Sequence, residues 1–418
     1  MKSLARSAAI LTAMILVTGL GLDRSASVAS AAQPSVIVVL QDGVNAEQAA
    51  NEHRALHGAD VTHVYGAALR GYAAHLPAQA LAVIARDPRV AFISEDREVW
   101  VTDTLPTGVD RIDGEQSSRG GQNSGGPAVA VIDTGSGPHS DLNVVGGKNC
   151  QTGRSYNDGN GHGTHVAGTI AAWLNGAGVV GVLPGAPIYS VRVLNNKGSG
   201  SWSSVICGID WVTANAATLG IKVANMSLGG AGSDDSDCGN SNNDALHRAI
   251  CNSVAAGVTY AAAAGNSGAD LRSFVPAAYD EVLAVTALSD SNGTSGGGGG
   301  APTCRTGETD DAPATFSNYA TTVADRQHTI AAPGVCILST WKGGGYSTIS
   351  GTSMASPHAA GTVALCIASG ACAGLTPGGI IAKMRVDAAA RPASYGFTGD
   401  ANSGGTRYYG HLIYAGGY

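Results

Sequence analysis

The sequence predicts an α/β protein: a mostly parallel sheet with helices on both faces, preceded by a small α+β unit of ferredoxin-like order. Three observations carry this. Apolar strand segments alternate with helical ones from about residue 103 to the end. Those strands are continuous runs rather than in/out alternations, the mark of strands covered on both faces. Residues of about 34–101 instead read β-α-β-β-α-β and contain no cysteine, although the chain has 8.

In the first unit, SVIVVL (35–40) reads as a strand. NAEQAANEHRALHG reads as a helix capped by Asn45, with Gln48 three residues on and Gly58 as its stop. VTHVYGAALRGYAAHLP contains a glycine turn and reads as one or two strands. PAQALAVIARDP is a helix between prolines, and VAFISEDREVWV is a closing strand. In the second unit the strands are PAVAVID (127–133), IYSVRVL (188–194), KVANMSL (222–228), VTYAAAA (258–264) and VLAVTAL (282–288). The helices are 162–174, 201–217, 243–257, the run after Ser353, and 376–390 with Pro377 in its first turn. Residues 289–314, polar and glycine-rich, read as a flexible surface loop pinned by Cys304.

Residues 1–32 read as a secretory signal. Lys2 and Arg6 precede an apolar run from about Ala8 to Leu22, then Ala29-Ser30-Ala31. The division expected is therefore 1–32, 33–102 and 103–418, with a secreted product and no membrane segment after export. A net charge of −7 gives no basic footprint for nucleic acid. Eight cysteines, all beyond residue 149 and without a C-x-x-C pair, read as disulfides in an oxidising compartment, with Cys366–Cys372 the best single pairing.

Three segments carry candidate chemistry. VAVIDTG ends a strand at Asp133, NGHGTHVAG opens a helix holding His162 and His165, and GTSMASPH places Ser353 at another helix mouth. A serine hydroxyl needs a base to become a nucleophile. An imidazole suits that task, and a carboxylate fixes its tautomer. Each residue also has a plain structural role open to it: Ser353 as a cap, Asp133 as a turn residue, either histidine as a packed one.

With NMSLGG and AAAAGN between them, these motifs resemble the subtilisin-like serine protease family, closest to its proteinase K branch, over about 103–415. The preceding unit resembles the family's inhibitory propeptide. The resemblance implies Ser353 as nucleophile, His165 as base, Asp133 as its orienting carboxylate and Asn266 as oxyanion donor, with His162 structural. It implies an added-strand substrate site along Gly198, Ser199 and Gly200 and along Ser227, Leu228 and Gly229. Ala263, Ala264 and Gly265 would line an uncharged pocket of apolar or aromatic preference. Asp234, Asp235 and Asp237 are read as a solvated loop. Structural calcium is implied through the Val282 carbonyl and Asp325, with no catalytic cofactor. The expected partners are protein or peptide substrates and the chain's own propeptide, cut off somewhere in 98–104 by the enzyme itself. A monomer is expected after maturation. Two other classes stand against this reading, a catalytically dead peptide-binding relative and a structural protein of the same fold.

Overall fold

In the computed structural model the described residues are 33–96, 103–117, 119, 121–123, 125–397 and 406–418. The expected signal segment and nearly all of the expected maturation stretch lie outside them. The chain divides into two compact units, Met1–Val99 and Trp100–Tyr418.

The first unit runs β1 (Ser35–Leu40), α1 (Ala46–His57), β2 (Asp60–Tyr65), β3 (Gly71–His75), α2 (Ala78–Ile84) and β4 (Val90–Glu95). Its antiparallel sheet has the order β2-β3-β1-β4, as the sequence pattern implies. The side chain of Asn45 accepts from the Gln48 amide, and Gly58 closes α1 in the left-handed region at φ 67°. Val38, Tyr72, Leu76 and Ile84 form the centre of a separate small core.

The second unit opens with α3 (Thr107–Arg111), β5 (Ala128–Asp133), β6 (Val144–Asn149), α4 (His162–Ala171), β7 (Ile188–Arg192), α5 (Trp202–Leu219), β8 (Ile221–Met226) and β9 (Gly230–Ala231). It continues with α6 (Ala245–Ala255), β10 (Thr259–Ala263), β11 (Phe274–Val275), β12 (Val282–Ser289), β13 (Ala312–Pro313), α7 (Val323–Arg326) and β14 (Thr329–Pro333). The hairpin β15 (Ile337–Trp341) and β16 (Gly345–Ile349), then α8 (Thr352–Ser369) and α9 (Pro377–Ala389), complete it.

The main sheet follows β13-β12-β10-β8-β5-β7-β6, with β14 also pairing β12; only the short β13 is antiparallel. Alternate residues of β5 feed opposite cores. Val129 and Val131 pack with Val166 and Ile170 of α4 and Val363 of α8, while Ala130 and Ile132 pack with Val205 and Ile209 of α5. Burial on both faces is why these strands contain no polar alternation. Ligand sites of such sheets lie beyond the strands' carboxyl ends, where Asp133 sits.

Four disulfides tie the unit together: Cys150–Cys207, Cys238–Cys251, Cys304–Cys336 and Cys366–Cys372. The segment 289–314 is not the free loop its composition suggests. Asp290, Glu308 and Asp310 are buried, and Asp310 accepts from the amides of Ser291 and Gly299. The glycines let backbone fold around these carboxylates. Among the described residues no helix is long and apolar enough to cross a membrane.

Candidate active site

Asp133 is the last residue of β5 and is fully buried. Its Oδ1 accepts from the Thr134 amide at 2.7 Å. Helix α4 is held against this strand end by an interlocking set of bonds. Asp158 Oδ1 accepts from the amides of Asn160 and Gly161 and from the Thr134 hydroxyl, and its Oδ2 from the amide and hydroxyl of Thr164. This is a carboxylate at a helix N-terminus, where free N–H groups and the helix dipole favour negative charge. Gly163 allows the approach: a Cβ there would lie 2.0 Å from the Gly135 carbonyl oxygen and 3.1 Å from Asp133 Cβ.

The histidine brought to Asp133 is His162. Its Nδ1 lies 2.8 Å from Asp133 Oδ1 and 3.0 Å from Oδ2. A carboxylate only accepts, so Nδ1 carries the proton and Nε2 keeps its lone pair. The side chain is 25% exposed and borders the open cleft. Burial works against charge on this ring, but the adjacent Asp133 carboxylate, its hydrogen bond and Asp158 outweigh it and raise the pKa above the ordinary value.

His165 is not beside Asp133, which corrects the expectation from sequence. Three residues further along α4 is about 4.5 Å deeper into the protein. Its Nε2 faces the carbonyl oxygens of Ile337 at 2.9 Å and Ser347 at 3.1 Å. Carbonyls only accept, so Nε2 is a donor there and unavailable as a base. The ring is fully buried under the β15–β16 hairpin, and burial pushes its pKa down to about 4. His165 fastens α4 to that hairpin.

Ser353 lies in the first turn of α8 and is half-buried. Its Oγ donates to the Ser227 carbonyl at 3.2 Å, and Ser227 Oγ donates back to the Ser353 carbonyl at 2.7 Å. Asn225 and Ser356 extend this network beneath. Asn266 is exposed, three residues past β10. Its Oδ1 accepts from the amide and hydroxyl of Thr352, so its Nδ2 is the end left to donate. Nδ2 and the Ser353 amide nitrogen flank one spot, each 3.6 Å from where a Gly351 Cβ would stand. Asn318 holds the Asn266 loop: its Oδ1 accepts from the Ser267 and Ala269 amides, and its Nδ2 donates to Ala264.

Beside these groups runs a cleft of about 900 Å³, bordered on one side by Gly198, Ser199 and Gly200 and on the other by Ser227, Leu228 and Gly229, with His162 at its end. Both edges expected from sequence therefore meet across one groove. Ala263 and Ala264 do not line it. They are 3% and 0% exposed, because β10 and its extension pair with β12. At Gly265 and Gly229 the neighbouring side chain is Phe274, unforeseen in the sequence. Cβ atoms there would lie 3.0 and 2.3 Å from its ring.

The expected calcium pair is engaged within the protein. The Val282 carbonyl accepts from His328 Nδ1 at 3.0 Å. Asp325 Oδ2 accepts from the Thr322 hydroxyl at 2.6 Å. Burial lowers the pKa of His328, which keeps that ring an uncharged donor.

Residues 124–397 match the subtilase family, and residues 35–101 match the peptidase inhibitor I9 family. The chain is 40% identical over 280 residues to alkaline elastase YaB of Bacillus sp. (strain YaB), an alignment spanning 67% of this chain and 64% of that protein. It is 40% identical over 267 residues to subtilisin DY of Bacillus licheniformis, spanning 63% of this chain and 84% of that one. The crystal structure of a cold adapted subtilisin-like serine proteinase superposes with a TM-score of 0.55 at 32% identity, covering 74% of this chain and 97% of that one.

Proposed function

Since this chain belongs to the subtilase family, we propose that it is a serine endopeptidase in which Ser353, His162 and Asp133 are the reacting triad. The observation that carries the reading is the Asp133–His162 pair at the end of the peptide-sized cleft that Ser227, bonded to Ser353, also borders. In this mechanism His162 Nε2 takes the Ser353 proton as the oxygen attacks a peptide carbonyl. Asp133 stabilises the imidazolium, and the amide of Ser353 with Asn266 Nδ2 receives the oxyanion. His162 then protonates the departing amine, and water repeats the sequence on the acyl-enzyme. Casein cleavage by the processed protein, abolished by a serine-directed sulfonyl fluoride, tests this directly. A correctly processed sample that leaves casein intact would return the chain to the class of peptide-binding relatives.

The raised His162 pKa sets a pH dependence. The base works only when neutral, so kcat/KM rises through an acid limb centred above the ordinary histidine value of about 6.5. Asp133→Asn removes the negative charge and offers an N–H that can turn the imidazole to the wrong tautomer, which moves this limb acidward and lowers kcat on the order of 10⁴-fold. A pH profile of both proteins on a small ester or amide substrate checks the pair of effects.

Phe274 packs against Gly229 and Gly265, where added Cβ atoms would stand 2.3 and 3.0 Å from its ring, and we read it as narrowing the subsite for the residue before the scissile bond toward small apolar side chains. Phe274→Ala opens that end. On a peptide series with Ala, Leu or Phe before the cleaved bond, the ratio of kcat/KM for Phe over Ala rises roughly tenfold or more. An unchanged ratio would place Phe274 outside the pocket.

The chain is further read as a secreted zymogen. Residues 1–32 have signal composition, and the unit matching the I9 family acts as an intramolecular inhibitor released by cleavage within 98–104, leaving a monomer. N-terminal sequencing of the exported protein locates that cut.

A further inference from the structure

We propose that Asp234, Asp235 and His247 form a binding site for a zinc-class divalent cation, on the loop that leaves the cleft edge at β9. His247 is fully buried in the first turn of α6 and stacks on Tyr279, ring centroids 4.1 Å apart. Its Nε2 lies 2.8 Å from Glu281 Oε2, so that nitrogen is the donor. The other nitrogen, Nδ1, is buried without a hydrogen-bond partner. It is nonetheless aimed at two carboxylate oxygens, Asp235 Oδ1 at 3.1 Å and Asp234 Oδ1 at 3.5 Å.

An unprotonated Nδ1 facing carboxylate oxygens at such distances is repulsive unless a cation lies between them, the alternative being a proton on Nδ1 itself. Zinc binds imidazole nitrogen and carboxylate oxygen at about 2.0–2.2 Å, which sets its ligand atoms roughly 3.0–3.5 Å apart. The separations here match that spacing. Glu281 completes the arrangement expected around a metal-bound histidine, whose second ring N–H is held by a carboxylate. Nearby Cys238 and Cys251 contribute no thiolate, since they are joined to each other. The loop is preset for the task. Asp235 accepts from the amides of Asp237, Gly239, Ser241 and Asn242, and Asp234 from that of Ser236. The cation would fasten the loop 232–244 to α6 beside the substrate edge at Gly230. The solvated-loop reading does not hold for Asp235, whose side chain is only 6% exposed, while Asp237 is exposed as that reading expects.

The test uses the full chain carrying Ser353→Ala, which prevents self-digestion, stripped with EDTA and titrated with zinc against a chromogenic chelator. The expected result is one zinc per chain bound at micromolar or better affinity. Asp234→Asn and His247→Gln each weaken it at least tenfold, and Glu281→Gln weakens it about 10- to 100-fold. Asp234 is partly exposed, its side chain at 15%, and Asn matches its shape, so its variant is expected to keep the fold, which near-ultraviolet circular dichroism checks, and a folding failure of His247→Gln leaves the test decisive. Absence of stoichiometric zinc in the parent, or zinc affinity undiminished in Asp234→Asn, overturns the site and leaves His247 as a buried imidazolium between carboxylates.

Discussion

Replacing His162 with Ala lowers kcat/KM by four to six orders of magnitude, whereas His165→Gln leaves it within about tenfold of the parent. The larger figure is the loss known in the related subtilisin when the serine or histidine of its triad is removed. The contrast between the two variants is what the geometry supplies. His162 holds the buried Asp133 carboxylate through Nδ1 and presents Nε2 to the cleft. His165 has spent its Nε2 proton on the carbonyls of Ile337 and Ser347. Its replacement shows up in stability instead. The Gln carboxamide can still donate to these carbonyls, but the ring and its edge contact with Trp341 are lost from a packed site, so the melting temperature falls. Steady-state kinetics and thermal unfolding of the two purified variants separate the roles.

The second large effect is at Asn266. Asn266→Leu reduces kcat by about 10²–10³ with little change in KM, the range known for loss of one oxyanion donor in subtilisin. A structural explanation competes, since Asn266 Oδ1 also accepts from the Thr352 amide and so caps α8. Asn266→Asp distinguishes the two. It keeps a carboxylate oxygen for Thr352 and removes the N–H donors. If the donor matters, Asp is as poor as Leu in kcat while its melting temperature stays near the parent's. If only the cap matters, Asp retains activity.

Much of the fold was legible because the strands are buried on both faces. Continuous runs such as AVAVID and VLAVTAL have no other reading in a chain alternating with helices. The β-α-β-β-α-β order of the first unit followed from turn glycines and helix caps in the same way. The candidate site was legible in its blocks but not in one assignment. HGTH presents two histidines on one helix, both compatible with a base. Nothing in the spacing says which sits at the open mouth beside Asp133 and which lies a turn deeper under a hairpin. That depth is set by β15 and β16, a pairing more than 170 residues away that leaves no local trace in the motif.

Other working residues were hidden for related reasons. Asp158 and Asn318 act by accepting backbone N–H groups from loops, and loops carry no periodicity. Phe274 meets Gly229 and Gly265 only through tertiary packing. The Val282 carbonyl expected to serve calcium accepts from His328, and a lone histidine before TIAAP gives no warning of that.

Labelling by a fluorophosphonate, followed by mass spectrometry of the modified peptide, shows which histidine activates Ser353, because the reagent reacts only with an activated serine. Stoichiometric label is expected on Ser353 in the parent and in His165→Gln, and none in His162→Ala. Label retained on Ser353 in His162→Ala but lost in a folded His165→Gln would contradict His162 as the base.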